Sequence, residues 1–132
     1  MAYLLDTNIV SDLIRNPHGN AARRLTQTGD APVATSIIVA AELRFGAERR
    51  KSPRLTEQLE KILGDLDVLP LETPADRHYG ILRTALEAAG TPISQHDMLI
   101  ASHALALGWT LVTGNEREFS RVKSLKIENW LR

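Results

Sequence analysis

The sequence predicts an α/β fold built on a mostly parallel central sheet. Three observations carry that prediction. Short apolar segments recur along the chain, and between them lie longer stretches whose apolar residues return at helical spacing. Connections of that length join parallel strands as crossovers and lay helices on both faces of a sheet. Breakers such as Gly29-Asp30-Ala31-Pro32 and Gly90-Thr91-Pro92 separate the segments without forming a linker.

The opening segment Ala2–Leu5 is apolar and stops at Asp6, as a buried strand would. Thr7 or Asn8 is placed to cap a short helix from Ile9 to Arg15, ended by Pro17 and Gly19. A second short helix is predicted over Ala21 to Thr28. Val33-Ala34-Thr35 follows as a strand, with Ser36 positioned to cap a helix running to about Lys51. On it Ile37, Ala40, Ala41, Leu43, Phe45 and Ala47 form a broad apolar stripe. Pro53 begins another helix, on which Leu55, Leu59, Ile62, Leu63 and Leu66 keep a helical period. Val68 to Leu71 reads as a strand, and Pro70, lacking an amide hydrogen, favours an edge or an irregular strand. Helices over Ala75–Ala89 and Gln95–Leu107, a strand over Thr110–Thr113 and a last strand within Ile127–Leu131 complete the pattern.

With 132 residues and no repeat or low-complexity tract, the whole of 1–132 is expected to be a single domain. Its 43% apolar and 24% charged residues are those of an ordinary globular protein. Cysteine is absent, which excludes disulfides and thiolate metal sites and fits a cytoplasmic protein. The N-terminus has no basic region and meets an acid at position 6, unlike a signal peptide. No apolar run is long enough for a bilayer, so no membrane role is expected. Sixteen Lys and Arg balance sixteen Asp and Glu, so any affinity for nucleic acid must come from local charge.

In parallel sheets of this kind, ligands bind beyond the carboxyl ends of the strands. Asp6 stands where the first strand ends, although capping of the next helix would also explain it. Glu42 lies among apolar neighbours and needs a strong partner, because an unpaired buried carboxylate is costly. A divalent cation is one such partner; an arginine such as Arg44 or Arg83 is the other. Asp97 follows Ser94 in an S-x-x-D pattern that also resembles a capping box. Its neighbour His96 is given no role. After the strand at Leu111–Thr113 come Asn115, Glu116 and Glu118, of which Glu116 reads best as a solvated helix start. Carboxylates converging without lysine, histidine or cysteine partners suit a hard cation such as Mg²⁺ or Mn²⁺. A water activated by such an ion can attack a phosphodiester.

These residues resemble a known family. LLDTNIV with Asp6, SIIVAAELRFGAE with Glu42, HDMLIASHALALG with Asp97, and LVTGNEREF followed by IENW are similar to the PIN-domain toxins of the VapBC toxin–antitoxin type. The matches run in order from residue 3 to 131. The resemblance implies a three-layer α/β/α fold and a Mg²⁺- or Mn²⁺-dependent endoribonuclease whose principal acids are Asp6, Glu42 and Asp97. Thr7, Asn8 and Ser36 match polar positions that support the acids or bound water. The family's fourth acid is often the Asp of a Thr-x-Asp motif, where this chain has Asn115; either Asn115 or Glu118 can complete the site. The implied partners are a VapB-like antitoxin that covers the acidic pocket with a basic side chain, operator DNA reached through the antitoxin, a second toxin copy, and structured RNA, tRNA prominent among it. Arg44, Arg49, Arg50 and Lys51 are candidate contacts for the RNA backbone, although a helix end complementing its dipole explains Arg49 to Lys51 equally well. With few aromatic residues, recognition by loop shape is more plausible than by stacking.

Other acidic α/β proteins fit less well. A haloacid dehalogenase phosphatase needs a second Asp two residues after the first, where Asn8 stands. A phospho-receiver needs an acceptor Asp after a middle strand, and Leu71-Glu72-Thr73-Pro74 offers none. A non-catalytic PIN-like binding module would not be expected to keep Asp6, Glu42 and Asp97 together.

Overall fold

A computed structural model describes residues 1–132. Five strands form one sheet: β1 (Tyr3–Leu5), β2 (Val33–Ser36), β3 (Asp67–Leu69), β4 (Thr110–Val112) and β5 (Ile127–Glu128). Seven helices connect them: α1 (Thr7–Arg15), α2 (Asn20–Gln27), α3 (Ile37–Arg50), α4 (Pro53–Asp65), α5 (Ala75–Ala88), α6 (Gln95–Leu107) and α7 (Glu116–Phe119). The strand order is β3-β2-β1-β4-β5, and every pairing is parallel. The α/β fold with a parallel sheet therefore stands as predicted.

β1 lies at the centre because it is the strand that is apolar throughout, with Leu4 and Leu5 fully buried. Its register places Leu5 beside Thr35 of β2 and Val112 of β4. One residue further along, Asp6, Ser36 and Thr113 form a row across the carboxyl edge of the sheet. All three are buried. From β1 the chain order runs one way through β2 and β3 and the other way through β4 and β5, so a topological switch point falls at the end of β1.

The main core gathers Leu4, Leu5, Ile9, Val10, Ile100, Leu111, Val112, Phe119 and Trp130. A smaller cluster of Ala40, Ala47, Leu59 and Leu63 joins α3 to α4. No helix is long and apolar enough to cross a membrane.

Several boundaries differ from expectation for local reasons. The cap of α1 is Asp6, not Thr7 or Asn8: Asp6 keeps an extended backbone and its Oδ1 accepts the Thr7 amide at 2.8 Å. β3 ends at Leu69, ahead of Pro70, which has no N–H to extend the ladder. The short helix α7 begins at Glu116, where a helix start was read, and ends within one turn at Phe119. The last strand stops at Glu128, because Asn129 Oδ1 accepts the Leu131 amide at 2.9 Å and turns the chain. That turn drops Trp130 into the core, where its ring lies 5.2 Å from that of Tyr3 and Nε1 donates to Glu128 Oε1 at 3.1 Å. On α3 the apolar stripe is only partly used. Val39, Ala40 and Ala47 are buried, while Ile37 and Phe45 are 45% and 64% exposed.

Burial separates two leucine-sized positions cleanly. Leu4→Ala should lower stability by about 2–5 kcal/mol in urea unfolding, since the fully enclosed centre of the sheet cannot collapse around the cavity. Ile81→Ala, at a position 71% exposed, should change it by no more than about 0.5 kcal/mol.

Candidate active site

Each acid reaches the carboxyl edge from a different element. Asp6 is the residue after β1 and is held by two bonds, from the Thr7 amide to Oδ1 and from the Thr113 hydroxyl to Oδ2 at 2.7 Å. Thr113 Oγ1 also accepts the Asn115 amide at 2.9 Å, so one buried hydroxyl ties the end of β1 to the loop after β4. Asn8 adds a second tie, its Oδ1 accepting the Gly114 amide at 2.8 Å. The backbone at Gly114 comes so close that a Cβ there would stand 2.6 Å from Leu131.

Glu42 lies on α3, six residues beyond its cap Ser36. Both arginines that could have neutralised it are engaged elsewhere: Arg44 pairs with Glu60, and Arg83 bonds Glu87 and Tyr79 on α5. Glu42 Oε1 is buried without a hydrogen-bond partner, as is Thr7 Oγ1. The Thr7 hydroxyl is near enough to favour the ionised Glu42 but is not in hydrogen-bonding geometry with it. Asp97 sits in the first turn of α6, whose cap Ser94 accepts the Asp97 amide at 3.2 Å. The capping role foreseen for Ser94 is thus real, and the Ser94 side chain also favours the ionised Asp97 carboxylate.

The acids act on one another. Burial pushes the Asp6 carboxyl up from 3.8 to about 6, against the two hydrogen bonds that favour its charge, and Asp97 and Glu42 push it further. Glu42 is raised chiefly by burial and also by Asp97. Asp97 is raised by burial and then by Glu118. Three segments distant in sequence therefore share one field, and Glu118 joins it through Asp97. His96, given no role from sequence, favours the ionised forms of both Glu42 and Asp97.

The remaining candidates divide. Asn115 caps α7 by position but makes no side-chain capping bond. Glu118 pairs with Arg121 at 3.3 Å, and Arg121 also donates to the Pro92 carbonyl at 3.0 Å. Glu116 turns away to Asn129 and Arg132, as its solvated reading required. The Ser36 hydroxyl is spent on capping α3 and on His103 and makes no hydrogen bond to the acids. Among the basic residues, Arg44 is committed to Glu60 and the Arg49 guanidinium lies 5.6 Å over the Phe45 ring. Arg50 lines a cleft of about 200 Å³ that reaches Glu42 between α1, α3 and α4, and Lys51 is exposed. The most informative residue missed by sequence reading is Thr113. Its only signal was its place as the last residue before Gly114 at a strand end, and threonine is ordinary there.

The acid arrangement suits a divalent cation. Orphaned oxygens on Glu42 and Thr7, together with mutually raised carboxylates, are the marks of a site lacking positive charge. No three acid or histidine side chains stand close enough to form a closed cage. A hydrated ion such as Mg²⁺ needs none, since it keeps several waters and takes one or two carboxylates.

A family profile described as the PIN domain matches residues 3–125. The chain belongs to the PIN-domain family. Over 132 residues this PIN domain is 38% identical to "Ribonuclease VapC2" of Rickettsia felis, covering 98% of each chain. It is 34% identical over 131 residues to "tRNA(fMet)-specific endonuclease VapC" of Shigella flexneri, again covering 98% of both. Among solved structures it is similar to VapBC2 from Rickettsia felis bound to a promoter DNA fragment, with a TM-score of 0.91, 37% identity and coverage of 98% and 99%. VapBC-1 from nontypeable Haemophilus influenzae superposes with a TM-score of 0.88 at 33% identity over 100% of both chains. The resemblance to VapBC-type toxins read from the motifs holds along the full length.

The raised Asp6 carboxyl has a consequence for stability. Its folded value of about 6 exceeds its ordinary 3.8, so between these values the folded protein holds the extra proton. Stability from this group therefore falls as pH rises through that window, by at most about 3 kcal/mol once Asp6 is ionised. In EDTA, Asp6→Asn should be more stable than the parent near about pH 7.5, and the gap should close by about pH 4. Urea unfolding across that range checks it; a gap independent of pH would show that the buried charge is not responsible.

Proposed function

We propose that this PIN domain is a Mg²⁺- or Mn²⁺-dependent endoribonuclease, the toxin of a type II toxin–antitoxin pair, acting in the cytoplasm on a structured RNA such as a tRNA loop. The observation that carries the reading is the shared field of Asp6, Glu42 and Asp97, brought from three segments to one sheet edge without an arginine or lysine partner. The names of the relatives, a ribonuclease and a tRNA endonuclease, support the reaction and its substrate class.

Asp6, Glu42 and Asp97 would hold the cation, and Glu118 is the better fourth group, since it faces Asp97. When bound, the cation polarises the phosphodiester and supplies activated water. The protein's own part is positional. Thr113 and the Thr7 amide fix the Asp6 oxygens, Asn8 holds the loop after β4 against α1, and the caps Ser36 and Ser94 orient the helices that carry Glu42 and Asp97. Of the basic residues nearby, Arg50 and Lys51 are free of ion pairs and suit the RNA backbone better than Arg44 and Arg49.

The VapBC complexes among the structural neighbours, some of them bound to DNA, support a VapB-like antitoxin as partner, with operator DNA reached through it. A basic antitoxin side chain entering the pocket would neutralise the field that a cation otherwise neutralises. The exposed Ile37, Phe45 and Ile81 offer apolar surface for a second copy of the chain.

Freed of antitoxin, the protein should cleave tRNA with added Mg²⁺ or Mn²⁺ and stop with EDTA. Asp6→Asn, Glu42→Gln and Asp97→Asn should each reduce kcat/KM on the order of 100-fold or more, as for other losses of charge placed at a reacting group. Variants that cut at the parent's rate would remove the catalytic assignment. For the fourth position, Glu118→Gln should raise the Mn²⁺ concentration needed for half-maximal cleavage severalfold, roughly as losing one ligand's support does. Asn115→Ala should leave it unchanged, and the reverse order would return the role to Asn115.

A further inference from the structure

His103 is a buried titratable residue that the proposed chemistry does not use. It lies on α6, only 2% exposed, six residues after Asp97. Its Nδ1 stands 2.8 Å from Ser36 Oγ, on the far side of the sequence by 67 positions. Ser36 is fully buried and caps α3, its Oγ accepting the Ile38 amide at 3.1 Å. The Pro70 backbone, just past β3, lies near enough to the imidazole to favour its protonated form. Proline has no N–H, so toward the ring it offers only its carbonyl, an acceptor that suits an N–H on the nitrogen facing it. The other ring nitrogen then accepts the Ser36 hydroxyl proton, and burial keeps the ring in this neutral form. One side chain thereby joins α6 to the start of α3 and lies against the exit of β3.

The position of this junction matters more than its strength. Glu42 lies six residues along α3 from Ser36, and Asp97 lies six residues along α6 from His103. Each acid is therefore about 9 Å along its helix from the junction. A tilt of about 6° at that point would move either carboxylate by about 1 Å at this lever length. An ion that demands near-ideal octahedral geometry is sensitive to such a shift.

The geometry points to His103 as a positioning residue: its hydrogen bond to Ser36 pins α3 against α6 and so sets the separation of Glu42 and Asp97. An apolar side chain of equal volume would fill the same space and leave the two helices free to shift. The inference rests on the cation reading above, and its test separates the two.

The measurement is Mn²⁺ binding to the full chain without RNA, by calorimetric titration, beside thermal melting by circular dichroism. His103→Phe keeps an aromatic ring and removes the bond to Ser36; it should weaken Mn²⁺ binding about tenfold, the lower end for loss of a residue that orients ligands. His103→Gln, which can still accept from Ser36 and donate to Pro70, should recover most of the affinity. A folded His103→Phe that titrates like the parent overturns the pin. So does a Gln variant that regains thermal stability without regaining affinity, since that marks a merely structural role. Should His103→Phe fail to fold, Ser36→Ala and His103→Gln decide. The double variant should lose no more affinity than Ser36→Ala alone, and additive losses would overturn the pin. A parent that binds no Mn²⁺ overturns the cation reading and the pin together; a parent that binds while the variants match it overturns the pin alone.

Discussion

Asp6 is a carboxylate buried at the end of the central strand, and the organisation around it follows from that single costly placement. A charge in this position loses its water, and two hydrogen bonds from Thr7 and Thr113 recover only part of that loss, as its value of about 6 records. Adding Glu42 and Asp97 to the same field makes the arrangement worse for the fold, not better. Such a cluster persists only where the rest of the structure determines it. Here that determination comes from β1, which is locked on both sides by parallel partners and has no freedom to turn its last residue outward. The bonds from Asn8 to Gly114 and from Thr113 to Asn115 extend the same rigidity to the loop after β4.

How much of this was legible in the sequence depended on range. Elements whose signals are local were found: the apolar run before Asp6, the Ser36 and Ser94 caps, and the edge character announced by Pro70. The assignments that slipped were those settled by a competing local bond. Asp6 took the cap expected of Thr7 or Asn8, and Asn129 folded the last strand into a turn so that Trp130 could be buried. In the site, the three acids could be read because charge among apolar neighbours is conspicuous. Thr113 and His103 could not, because a threonine at a strand end and a histidine in an apolar helix acquire meaning only through partners 107 and 67 residues away.

Partner allocation, rather than charge count, decides which basic residues matter. The net charge is zero, and the dense run from Arg44 to Lys51 looked uniform in sequence. In the fold it is not uniform. Arg44 is neutralised by Glu60 and Arg49 is laid on Phe45, so the positive charge left along the cleft that reaches Glu42 is carried by Arg50 and by Arg15 of α1. The same allocation isolates Glu42: with Arg44 and Arg83 taken, no protein cation neutralises it, although His96 lies close enough to favour its ionised form. Surface ion pairs of this kind contribute little stability by themselves. Their larger effect is to withhold arginines from the pocket.

That withholding links the fold to its ligands. A group that destabilises the folded state while unpartnered binds whatever supplies the missing charge with the released repulsion added to the contact itself, and stability rises with ligand concentration by mass action. On the proposed function, a divalent cation and a basic antitoxin side chain would answer the same deficit at Asp6, Glu42 and Asp97, so each would oppose the other's binding without any change of shape. Inhibition by an inserted basic residue would then follow from the electrostatics of the proposed site. The acids proposed to hold the cation would be the reason a cationic partner could close the pocket.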